Sequence, residues 1–132
     1  KAFKNLDILA SLEYLETLFV SGCKSYLCNP TKLSIGCNLR LKKLTYKWGN
    51  ISYNDLNRIK YLEVLEKLDL TECKFTEGMK LYKLGNDCRF LNSLKHLNLW
   101  GVRIDFNDYQ YIKNFKNLKT LTVRFAVLFY FN

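Results

Sequence analysis

Leu65-Glu-Lys-Leu68-Asp-Leu70-Thr-Glu-Cys73-Lys-Phe75 is the stretch that decides how this chain folds. Leu68 and Leu70 alternate with Lys67 and Asp69, a period of two that puts both leucines on one face of a short strand. One such strand cannot bury its leucines alone, so the neighbouring sequence must supply others. It does. The same arrangement stands in Leu15-Glu-Thr-Leu18-Phe-Val20-Ser-Gly-Cys23, Leu41-Lys-Lys-Leu44-Thr-Tyr46-Lys-Trp-Gly49-Asn-Ile51, Leu94-Lys-His-Leu97-Asn-Leu99-Trp-Gly-Val102-Arg-Ile104 and Leu118-Lys-Thr-Leu121-Thr-Val123-Arg-Phe-Ala126-Val-Leu128. The key leucines, Leu18, Leu44, Leu68, Leu97 and Leu121, are spaced by 26, 24, 29 and 24 residues. Such spacing leaves room for a crossover between strands, so it predicts parallel strands that lie side by side and share one core. Four units carry a further apolar residue ahead of the first leucine: Leu12, Leu62, Leu91 and Phe115.

The return segments read as follows. Tyr53 to Leu65 and Asn107 to Phe115 have apolar residues at helical spacing, with Asp105 or Asn107 as the cap of the second. Cys28 to Leu39, with Asn29-Pro30 and Gly36, reads as a loop. A helical bundle is the rival, because leucine-rich helices also give L-x-x-L spacings. The β-branched and aromatic tails of Leu18-Phe-Val20 and Leu121-Thr-Val123-Arg-Phe125 favour strands.

The repeated pattern resembles the leucine-rich repeat family, L-x-x-L-x-L-x-x-(N/C)-x-L, over most of the chain. The third unit meets it well and the others loosely. Cys23 and Cys73 occupy the Asn/Cys position, while Gly49, Val102 and Ala126 depart from it. The cysteine variant is most similar to the cysteine-containing and ribonuclease-inhibitor-like subtypes, which are intracellular. The resemblance implies an α/β solenoid of about five repeats, with strands on a concave side and helices or loops on a convex side. Those subtypes include the substrate-receptor repeats of F-box proteins, but no F-box stretch accompanies the pattern here.

Composition sets the outer bounds. The 132 residues suit a single domain spanning 1–132, and 9 Phe, 9 Tyr and 2 Trp exclude a disordered tail. The longest apolar run, Phe125 to Phe131, has seven residues against the roughly 20 of a membrane-spanning helix. Without an initial Met or a signal-peptide pattern, the chain reads as a piece of something longer. The five cysteines form no C-x-x-C pair and His96 is the single histidine, so no metal site and no cofactor are expected. Buried reduced thiols in an intracellular protein are the preferred reading. An extracellular receptor ectodomain with a Cys28–Cys37 bridge is the alternative, and Asn50-Ile-Ser52 is a lone glycosylation sequon.

The expected partner surface is the outward face of the strands: Phe19, Lys43, Thr45, Lys47, Trp48, Lys67, Asp69, His96, Asn98, Trp100, Arg124 and Phe125. Exposed tryptophan and arginine among polar neighbours match the make-up of interface hot spots. The formal charge of +9 is concentrated, with eight cations against Asp55 alone between Lys24 and Lys60. That bias points to an acidic protein partner, with the RNA backbone in a ribonucleoprotein as the alternative. No phosphate loop, paired-carboxylate site or catalytic triad pattern occurs, so a non-catalytic interaction scaffold is expected. Phe3 to Leu9 reads as the back half of an earlier repeat. The terminal Phe125, Phe129, Tyr130 and Phe131 suggest an edge covered by further repeats or another subunit.

Overall fold

In the computed structural model, residues 11–22, 40–76 and 78–124 are described. They form a mixed α/β structure with a five-stranded parallel sheet and two helices. The sheet strands are β1 (Thr17–Ser21), β2 (Lys43–Lys47), β4 (Lys67–Asp69), β6 (His96–Asn98) and β7 (Thr120–Thr122), ordered in space as in the chain. Two shorter strands, β3 (Asn50–Ile51) and β5 (Lys74–Phe75), pair in parallel as a second small sheet.

The register follows the leucines. Leu18 pairs with Leu44, Leu44 with Leu68, Leu68 with Leu97 and Leu97 with Leu121. Strands β2, β4, β6 and β7 are each entered through one repeated device, a carbonyl of the preceding unit that accepts the strand's first amide and the amide just before it. Glu16 C=O takes Lys42 and Lys43, Lys42 C=O takes Glu66 and Lys67, Glu66 C=O takes Lys95 and His96, and Lys95 C=O takes Lys119 and Thr120. These bonds lock the register, since a slip by one residue would turn the leucines out of the core.

Three apolar rows fill the interior. Leu41, Leu65 and Leu94 precede the strands, Leu44, Leu68 and Leu97 lie within them, and Tyr46, Leu70 and Leu99 follow two residues on, all buried. Each buried leucine contributes about 1.5–3 kcal/mol relative to its exposed state. The far side is closed by Leu56, Ile59, Leu62, Leu81, Leu84, Phe90 and Phe115, with Phe90 and Phe115 stacked at 5.9 Å between centroids.

The two helices are α1 (Tyr53–Ile59) and α2 (Phe106–Ile112), each seven residues long. Each begins in a capping box, Ser52 with Asp55 and Asp105 with Asp108, which satisfies two otherwise orphaned amides. The helix expected over Tyr53 to Leu65 therefore stops six residues early, and the second begins at Phe106 and ends at Ile112. The reason is local. Tyr61, Leu62 and Leu65 donate to Arg58, Ile59 and Leu62, three residues back, which tightens the chain into turns. Asn114, Phe115 and Leu118 repeat the pattern with Tyr111, Ile112 and Phe115. Turns keep Leu62 and Phe115 in the core while steering the chain into the next strand. The longer unit between β5 and β6 has a 3-10 turn, Leu81–Leu84, in place of an α-helix. Among the described residues no helix is long and apolar enough to cross a membrane.

Candidate interaction face

Residues between the core leucines necessarily project from the opposite face of the sheet. The register aligns them in two rows: Thr17, Lys43, Lys67, His96 and Thr120, then Phe19, Thr45, Asp69, Asn98 and Thr122. Seven of these ten, Lys43, Lys67, His96, Thr120, Asp69, Asn98 and Thr122, line an open groove of about 560 Å³ that crosses β2, β4, β6 and β7 and also touches Glu66 and Lys95. Ten of the twelve predicted surface residues thus lie on strands, or beside them at Trp48 and Trp100. Arg124 follows β7, and Phe125 lies outside the described residues.

Lys43 and Lys67 are exposed neighbours in one row and form no ion pair among the described residues. His96 stands next in that row, its Nδ1 2.7 Å from the Thr120 hydroxyl. At the margins, cations lie over aromatic rings: Lys47 over Phe19 at 5.7 Å and Arg124 over Trp100 at 5.8 Å. Trp48 and Trp100 are partly exposed, so neither is sealed into the core. Such pairs contribute about 0.5–1 kcal/mol each when exposed and hold the rings at the surface.

The second row has a structural task as well. Asp69 is buried, and its Oδ1 accepts the Thr71 amide at 3.0 Å and the Thr71 hydroxyl at 2.5 Å. Asn98 Oδ1 likewise accepts the Trp100 amide at 3.0 Å. Both close the chain two residues on, the habit of Asp and Asn in turns. Asn98 Nδ2 also reaches Asp69 Oδ2 at 3.5 Å, linking the two strand ends. Trp48, Glu72 and Gly101, equivalent in the three central units, take positive φ of 56°, 58° and 75°.

One row escaped the outward-face reading. Glu16, Lys42, Glu66, Lys95 and Lys119 stand two residues before the key leucines, and their signs alternate over the first four. Lys42 pairs with Glu16 and Lys95 with Glu66, both at 3.2 Å. The hydrogen bond and charge of Lys95 hold the Glu66 carboxyl below its usual range. The alternation was present in the sequence, at the position adjoining the residues chosen as outward.

Cys73 explains the cysteine in the third unit. Its thiol donates to the Tyr46 carbonyl of the previous unit at 2.9 Å. Burial pushes it up to about 12 and Cys88 up to about 11. Both are free buried thiols. Cys23 and the Cys28–Cys37 pair lie outside the described residues, as do Phe3 to Leu9 and the terminal aromatics. Among the described residues no group of three His, Cys, Asp or Glu side chains converges as a metal site. Family models, curated proteins and solved structures yield no match to the chain.

Proposed function

We propose that the chain is a leucine-rich repeat solenoid acting as a non-catalytic interaction module of a larger protein or complex, with an acidic protein segment on its strand face. The solenoid reading is supported by strands that follow chain order at constant register, by capping boxes at equivalent places and by Cys73 bridging neighbouring units. Buried free thiols fit a reducing, intracellular compartment. The observation that carries the binding reading is the row Lys43, Lys67 and His96 across three adjacent strands, flanked by the Phe19–Lys47 and Trp100–Arg124 pairs.

The test is titration of the chain with poly-glutamate and with single-stranded RNA over a series of salt concentrations. Poly-glutamate should bind, and Trp100→Ala with Lys47→Glu should weaken it by about tenfold while circular dichroism stays unchanged. Tighter RNA binding, with a salt slope of about 0.7 per phosphate contact, would replace this reading by the ribonucleoprotein one.

A further inference from the structure

Resting on the reading that an acidic segment binds the strand face, we infer that the segment is an α-helix lying across the strands, presenting acidic residues at i, i+3 or i+4, and i+7. The spacing of the basic side chains in one row sets this choice. Lys43, Lys67 and His96 occupy one register position on adjacent strands. Neighbouring strands lie about 4.8 Å apart, so the row extends about 9.6 Å. Along a helix, residues three or four apart advance about 4.5–6 Å and seven apart about 10.5 Å. An extended chain repeats one side every about 6.8 Å and would reach about 13.6 Å at its third contact. The helix stays within about 1 Å of the row's end, whereas the extended chain overshoots by about 4 Å.

The backbone argues the same way. The inner strands β2, β4 and β6 each have a parallel neighbour on both sides, so their amides and carbonyls point along the sheet. Over these three strands the groove presents side chains only, so an extended peptide seated on Lys43, Lys67 and His96 would find no edge on which to add as a strand. A helix arrives with its own backbone bonds made. Lys43 and Lys67 would take the first two carboxylates, and the His96–Thr120 pair would hydrogen-bond the third.

The experiment compares two peptides of equal length and charge. One is alanine-rich with glutamates at i, i+4 and i+7; the other has the same glutamates and two central prolines that break the helix. Binding to the full chain is followed by tryptophan fluorescence at low salt. The helical peptide should bind at least about tenfold more tightly, and Lys43→Glu with Lys67→Glu should abolish the difference. Equal binding of both peptides, reduced by that double variant, would overturn the helix and leave the acidic-segment reading standing. Binding of neither would overturn both.

Discussion

Cys73 shows how much one side chain can settle. Its thiol is buried beneath the turn after β2 and donates to the Tyr46 carbonyl, so it must stay protonated. The same burial that lifts it to about 12 lifts Cys88 to about 11, from an ordinary 9.0. Two consequences follow from the sign. Native thiols at pH 8 stay in the unreactive form, so a haloacetamide should label Cys73 and Cys88 far more slowly in the folded chain than in urea. Mass spectrometry of quenched samples checks this, and equal rates would contradict it. Because the folded values are the raised ones, both thiols contribute stability fully below pH 9, and it drains as pH rises toward 12. Burial raises Tyr46 and Tyr111 in the same direction. Urea midpoints should therefore fall steeply across that alkaline window. Gly49 belongs to the same turn: a Cβ there would overlap the Tyr46 ring, itself fully buried. Gly49→Ala should cost about 1–3 kcal/mol in urea denaturation, the usual price of overpacking.

At the scale of the element, the two helices have only seven residues each, too few to be stable in isolation. Their caps and their packing hold them. Ser52→Ala should cost about 1 kcal/mol, the typical loss of an N-cap oxygen. Asp108→Ala should cost more, because that fully buried carboxylate caps α2 and also accepts the Tyr82 amide of the neighbouring 3-10 turn at 3.0 Å. Thermal denaturation of the two variants side by side checks the order. Asp105 was legible as one of two caps, and the structure takes it rather than Asn107, which lies inside α2. The early end of α1 was not, because Ile59, Leu62 and Leu65 are spaced by three residues, which suits a helix and a series of tight turns equally. β3 and β5 were also hidden, since two-residue strands have too little period to read. The left-handed backbone at Trp48 and Glu72 gave no sign either, because neither residue type marks that conformation.

For the molecule as a whole, the legible part was what depends on period: which leucines align, and which polar side chains share their opposite face. What period cannot say is how a polar residue is used once it is there. Asp69 and Lys67 both belong to the outward set, yet Asp69 folds back onto Thr71 while Lys67 remains exposed. Side-chain reach and turn geometry separate them, and neither is written in the spacing. Shared burial across stacked strands also makes stability uneven along the sheet. Leu68, in the central strand, is fully buried, whereas Leu121 in β7 keeps 38% of its surface. Leu68→Ala should therefore lose about 2–5 kcal/mol, the cost of a cavity inside a packed core. Leu121→Ala opens no enclosed space and should lose about 1 kcal/mol, mainly the transfer of the groups removed. Urea denaturation of both variants measures the contrast. Similar losses at the two positions would mean that β7 is as enclosed as β4, and that the core does not thin toward this edge of the sheet.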